Sequence, residues 1–373
     1  MIYDNKTKYS YKDVSIIPSV TTDISSRQEC NPYVNEGYFL PIFTAPMDSV
    51  VGIGNVEEWL DNRIMPIIPR NIPFNIRQEY LEYKHWTALS LSEFEDLFLG
   101  KNALPVDECY KALIDVANGH MECILSLSRQ AKNKYGTSLC IMAGNIANPD
   151  TYKAYCEAGI DYVRCSIGSG SSCLTTSNCA VHYPVASLLD EINKIRKSNT
   201  GFKTKVIADG GIKNYSDAIK ALGLGADYVM IGGLFAGLFE SAAKINGLTV
   251  IPKKWDSFIN NEEMVKYLGK YPFEEEDKRE WIRTNAEYLT KTYHGMSTKE
   301  AQKAINPDAV KFKTAEGKSV TVPVTGTICQ WAENFTDYLR SAMSYTGKRT
   351  LTEFCGNVDF VVNSHGVSET VNK

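Results

Sequence analysis

The strongest constraint on the fold is a recurrence: eight short apolar runs, each closing in turn chemistry. They are LPIFTA (40–45), IMPIIP (64–69), TALSL (87–91), ALIDVA (112–117), LCIMAG (139–144), YVRCSIG (162–168), KVIAD (205–209) and DYVMIGG (227–233). Runs of this length, bounded by glycine, proline, asparagine or serine, read as buried strands. Between them lie stretches of helical period. NPDTYKAYCEAGI (148–160) places Tyr152, Tyr155 and Cys156 on one face, and SDAIKALGLGA (216–226) does the same with Ile219, Leu222 and Leu224. Alternating strand and helix implies parallel strands, and eight such units imply closure into a (β/α)8 barrel, the TIM barrel. A doubly wound open sheet is the alternative, because periodicity carries no information on closure.

A chain of 373 residues accommodates one such barrel. We assign 1–373 to a single barrel domain. Residues 245–290, rich in aromatic and charged residues, break the pattern after the eighth strand and are expected to form an insertion on the barrel rim. Within them EEEDKREW reads as a solvated helical face. The polar tail, 357–373, is expected to be poorly ordered. A net charge of −4 gives no electrostatic case for nucleic acid or an anionic membrane as partner. A phosphate needs no basic surface, since backbone amides can hold it. The polar start MIYDNKTKYSYKD lacks a signal-peptide core, and no apolar run approaches the roughly 18 residues of a membrane span. Ten cysteines without CxxC pairs or histidine clusters favour reduced thiols in the cytoplasm over disulfides or a zinc site.

In a barrel the polar residues after each strand gather on the C-terminal face, where active sites of this fold are built. The sixth run empties there into a Gly/Ser loop, Gly168 to Cys173, with Thr175 two residues on. A thiol displayed at that tip suits a nucleophile; the alternative is a small buried hydrophobe. The ADGG (208–211) and IGG (231–233) turns follow the seventh and eighth strands, where phosphate is often held, and Asp209 suits a sugar hydroxyl. Read alone, such glycine pairs are also plain turns.

YKDVSIIP, TAPMDSV, GSGSSCLT, IADGGI, IGGLFAG, YHGMS and EGKSVTVP stand in this order along the chain. In order and spacing they resemble the IMP dehydrogenase/GMP reductase family over nearly the whole length. The resemblance implies a (β/α)8 barrel whose cysteine, here Cys173, attacks C2 of a purine nucleotide. Thr175 and Glu316 would form the proton-transfer pair. Met47, Ser171, Asp209, Gly211, Gly232, Gly233, Tyr293, Gly295, Met296 and Ser297 would hold the nucleotide. Arg70, Asp115, Asn118, Gly144, Asn145 and Gly170 would face NADPH, and carbonyls of Gly168, Gly170 and Cys173 would hold K+. A homotetramer is also implied.

Within the family, IDVANGH and IMAGN are similar to the reductase forms. The span from Gly295 to Glu316 is short for the dehydrogenase flap and holds no Arg-Tyr pair. The stretch 70–112 leaves no room for regulatory CBS-type domains. GMP reductase, converting GMP with NADPH to IMP and ammonia, is therefore the expected activity. An IMP dehydrogenase lacking its flap and a non-catalytic purine-nucleotide-binding barrel are the alternatives. Pro46 in TAPMD is dehydrogenase-like, and Lys313 and Ala315 depart from the usual arginine and serine.

Overall fold

The computed structural model describes residues 6–34, 37–170, 173–246, 274–285, 289–294 and 317–363, with the single residues Thr298, Lys303 and Thr314. After β1 (Val14–Ile16) come eight parallel strands: β2 (Ile42–Thr44), β3 (Ile67–Ile68), β4 (Trp86–Leu89), β5 (Tyr110–Asp115), β6 (Leu139–Ile146), β7 (Tyr162–Cys165), β8 (Lys205–Asp209) and β9 (Tyr228–Ile231). Their spatial order is β2-β9-β8-β7-β6-β5-β4-β3. Met65, just before β3, closes the ring: its amide donates to Ile42 O (3.0 Å) and its carbonyl accepts from Thr44 N (3.0 Å). The sheet is a closed barrel, and the open-sheet alternative falls.

Each expected strand lies within or against its apolar run, and the helices follow the same logic. The helix after β4 begins with a capping box, in which Ser90 Oγ accepts from Glu93 N and Glu93 Oε2 accepts from Ser90 N. Such a cap is worth about 1 kcal/mol and starts the helix Leu91–Leu99 at Ser90. The two amphipathic stretches named above become helices Thr151–Glu157 and Tyr215–Gly223. The helices pack their apolar faces on the outside of the barrel, while Phe43, Met65, Ile67, Leu113, Met142 and Met230 fill its inside. Trp86, Tyr162 and Tyr228, each the first residue of its strand, meet Phe43 in a ring cluster. Phe43–Trp86 and Trp86–Tyr162 stand edge-to-face at 5.8 and 5.1 Å. This aromatic plug fills the N-terminal end and leaves the strands' C-terminal ends for ligands.

Two expectations are corrected. The tail is not uniformly loose: β13 (Phe360–Val362) pairs antiparallel with β1, matching Val14 to Val362. Short chain ends order when they find a strand edge. EEEDKREW does fall in a helix, Glu275–Asn285, but not as a solvated face. Trp281 is fully buried, and Lys278 reaches Glu58 and Glu240, both at 3.0 Å. The described parts of 245–290 also include β10 (Ile245–Asn246). It joins β11 (Thr290–His294) and β12 (Ser319–Pro323) in a three-stranded antiparallel sheet, ordered β10-β11-β12.

Candidate active site

The Gly/Ser loop leaves β7 through Ser166, a buried residue held at φ +107°. A non-glycine residue at such an angle costs on the order of 1–3 kcal/mol and persists where its surroundings over-determine it. Here Ser166 N donates to Ile146 O (2.8 Å) and Ser166 Oγ pairs with Ser169 Oγ (2.5 Å). The loop then turns back, with Cys173 N donating to Gly170 O (3.0 Å). Gly168 O accepts from Thr176 Oγ1 (2.9 Å). Each of these two carbonyls keeps a second lone pair.

Cys173 Sγ donates to Thr175 Oγ1 at 3.2 Å, so the expected nucleophile and its hydroxyl partner are in contact. Cys173 also forms an isolated antiparallel bridge with Gly317. That pairing brings the stretch following Glu316 against the thiol's own backbone. Other thiols are in different surroundings. Burial first, then Asp161, pushes Cys140 up to about 12, and burial raises Cys165 and Cys355 as well. Those are inert packing cysteines, whereas Cys173 is half-buried on the ligand face.

A buried cation organises the neighbouring strand ends. Arg164, inside β7, donates from NH1 to Asp115 Oδ1 (2.7 Å) and from Nε to Asp209 Oδ2 (3.0 Å), with NH2 2.9 Å from the same oxygen. Asn145 Nδ2 donates to that oxygen too (2.7 Å) and to Ser166 O (2.9 Å). Burial alone would push Arg164 down, but Asp209 and Asp115 together outweigh it and hold the guanidinium above its ordinary value. Three donors converge on Asp209 Oδ2, and Arg164 takes Asp115 Oδ1. The second oxygen of each carboxylate makes no hydrogen bond to the described residues. Asp209 was expected on the nucleotide side and Asp115 on the cofactor side; one guanidinium holds both.

Other expected residues cluster around this frame. A Cβ on Gly210 would lie 2.6 Å from Ser169 Oγ, and one on Gly211 3.5 Å from Ser169 Cβ and Tyr11. The ADGG turn therefore packs on the Gly/Ser loop. A Cβ on Gly232 would meet Met47 Sδ at 2.7 Å, which puts the methionine over the second glycine turn, and Gly233 opens the helix Gly233–Ala236. Tyr293 is buried in β11. Arg70 NH1 reaches Asp115 O at 3.4 Å, and among the described residues its buried Nε has no hydrogen-bond partner, nor has Asn71 Oδ1 beside it. Orphaned donors and acceptors at strand ends fit a polar cofactor. Asn118 is not brought in: it is exposed, and its Oδ1 accepts from His120 N (3.0 Å) in its own turn. Ser171, Gly295, Met296, Ser297 and Glu316 lie outside the described residues.

Sequence reasoning missed Arg164 and a second pair, His294 Nε2 with Asp48 Oδ2 at 3.0 Å. The latter ties the end of β11 to the PMDS loop after β2. Arg164 had a signal: a charge inside an apolar strand run requires a buried partner.

The IMP dehydrogenase / GMP reductase domain model matches residues 95–253 and 273–371. That is well over half of the chain, and the chain belongs to this family of oxidoreductases. Several curated relatives bear one name. GMP reductase of Onchocerca volvulus is 28% identical over 376 residues, covering 96% of this chain and 92% of the relative. GMP reductase of Caenorhabditis elegans is 26% identical, with the same coverage. Human GMP reductase 2 is 26% identical, covering 96% of this chain and 95% of its own. Among the described residues no helix is long and apolar enough to cross a membrane.

Proposed function

We propose that the protein is a GMP reductase, converting GMP and NADPH to IMP, NADP+ and ammonia through a covalent adduct at Cys173. The observation that carries this reading is the contact of Cys173 with Thr175, at the point where Cys173 pairs with Gly317. As a thiolate, Cys173 attacks C2 of the guanine; the C2–S bond forms, the C2–N2 bond breaks, and the exocyclic nitrogen leaves as ammonia. Departing ammonia needs a proton, which Thr175 relays from a carboxyl group, the role we assign to Glu316. The cofactor supplies the hydride that C2 takes up as the C2–S bond breaks. Asp209 Oδ1 accepts from the ribose, the glycine turns at 210–211 and 232–233 donate amides to phosphate, and Met47 lies against the base. Asp115, with Arg70 and Asn145, would hold the cofactor. The Gly168 and Gly170 carbonyls, with that of Cys173, would hold K+.

The test follows nicotinamide absorbance with GMP plus NADPH and, separately, with IMP plus NAD+. NADPH loss in the first alone is expected. NADH formation in the second alone would make the enzyme a dehydrogenase, and silence in both with tight nucleotide binding would make it a binding barrel. Cys173→Ala should abolish turnover while GMP still binds; near-wild-type turnover would remove the thiol from the mechanism.

A further inference from the structure

We propose that Lys291 is a positioning residue for the nucleotide site, its buried ammonium taking the place of a bound monovalent cation that fastens β11 to the turn closing the eighth barrel unit. The inference rests on the reading of Tyr293 and the Gly232–Gly233 turn as nucleotide-holding. Lys291 is completely buried. Its Nζ lies 2.7 Å from Leu238 O, 2.8 Å from Phe239 O, and 2.9 Å from both the carbonyl and the hydroxyl of Ser241. Three of these four oxygens can only accept, and an ammonium is donor-only, with three N–H groups. Among the described residues no carboxylate touches it. A shell of carbonyl and hydroxyl oxygens around a lone positive charge is how proteins hold a hard monovalent cation.

The two chain segments joined in this way are the ones the nucleotide needs in register. The oxygens belong to the turn directly after the helix Gly233–Ala236, whose first residue is one of the expected phosphate donors. Carbonyls in this turn lie beyond the helical ladder, and buried carbonyls need a donor. Lys291 stands two residues before Tyr293, and His294 at the end of the same strand is pinned to Asp48. The strand is thus held at one point by the ammonium and at another by the His–Asp pair.

The charged groups around the clamp leave Lys291 as the cation of the shell. Glu240 lies in the same turn but is taken by Lys278 (3.0 Å) and by the amide of Ile328 (2.9 Å), and Lys278 in turn holds Glu58. The flanking strands, Ile245–Asn246 and Ser319–Pro323, carry no titratable side chain. Burial pushes Lys291 down to about 7, with Glu240 acting the other way. A methionine would fill the same space without this desolvation cost, so packing alone does not account for a lysine.

The experiment uses the full chain at about pH 6, below the value of about 7 to which burial pushes Lys291. GMP affinity is measured by calorimetry, and kcat and KM by NADPH consumption, for Lys291→Ala and Lys291→Met. GMP dissociation constant and KM should rise by about tenfold or more, with kcat changed by no more than about threefold. In Lys291→Ala, n-propylammonium, which replaces the atoms removed, should restore affinity, while tetramethylammonium at equal ionic strength should not. Folded variants that bind GMP like the wild type overturn the proposal. So does loss of fold in both variants, or lost affinity that propylammonium leaves unchanged, since each assigns Lys291 to the fold alone. A wild type that binds GMP but does not reduce it would refute the proposed activity and leave the calorimetric test standing. A wild type that binds no GMP would refute both.

Discussion

Replacing Arg164 with methionine is the sharpest perturbation of the site. The substitution conserves volume but strands two carboxylates, Asp115 and Asp209, whose side chains are only 12% and 14% exposed. Removing one partner of a buried ion pair costs about 3–5 kcal/mol, because the remaining charge keeps its desolvation penalty without compensation. Asn145 still donates to Asp209 Oδ2, which holds the estimate at the single-pair range rather than twice it. At roughly 2.1 cal/mol/K per residue, 373 residues give an unfolding entropy near 0.8 kcal/mol/K. The melting temperature should therefore fall by roughly 4–6 °C. Scanning calorimetry reads this directly. Adding Asp115→Asn and Asp209→Asn to Arg164→Met should recover most of the loss, because neutral amides do not need the cation. An Arg164→Met protein melting within about 1 °C of wild type would show that the carboxylates are not held as described.

Two further outcomes follow from local geometry. Gly144 sits at φ +146°, and a Cβ there would lie 2.5 Å from Arg164 O and 2.7 Å from Arg164 Cβ. Gly144→Ala should cost about 2 kcal/mol in urea denaturation and should be strongly non-additive with Arg164→Met; simple additivity would disconnect the glycine from the guanidinium. Lys291 supplies a pH dependence. Its folded value of about 7 lies below the ordinary 10.5, so between these values the unfolded chain binds more protons than the folded one. Wild-type stability relative to Lys291→Met should therefore rise with pH across that window and level off outside it. A flat difference in denaturation midpoints between pH 7 and pH 9 would mean that the burial is not felt.

Much of the barrel was legible because a buried parallel strand needs an apolar run and its exit needs a turn former, so each unit leaves its own mark. Closure left none. It is made mainly by backbone groups of Met65, Ile42 and Thr44, with Thr44 Oγ1 accepting from Ile67 N, and peptide hydrogen bonds do not depend on which side chains carry them. Phe360–Val362 was missed for a related reason: three residues are too few for a period, and the partner Val14–Ile16 lies at the other end of the chain. In EEEDKREW composition outweighed position, since seven of its eight residues are charged, which suggests water, yet Lys278 and Trp281 turn inward. Residues with motif context, such as Cys173 and Asp209, stood out in the sequence; those buried among the groups they hold, Arg164 and Lys291, did not.

The geometry at Arg164 also bears on how two ligands would share one site. Each of its carboxylate partners gives the guanidinium one oxygen and keeps one back, Asp209 facing the expected nucleotide side and Asp115 the expected cofactor side. A carboxylate held this way is already ordered, so a ligand hydroxyl that binds it does not have to immobilise it. Since the same cation orders both, neither half can loosen without releasing a charge into a buried setting. The fully buried β7 backbone around Val163 and Cys165 fixes that cation in turn, and the Gly/Ser loop that presents Cys173 leaves from the same strand. The Cys173 thiol and the Asp209 and Asp115 carboxylates are therefore positioned from one strand, the arrangement that the proposed reaction, which joins a covalent step at C2 to a hydride step at the same carbon, would require.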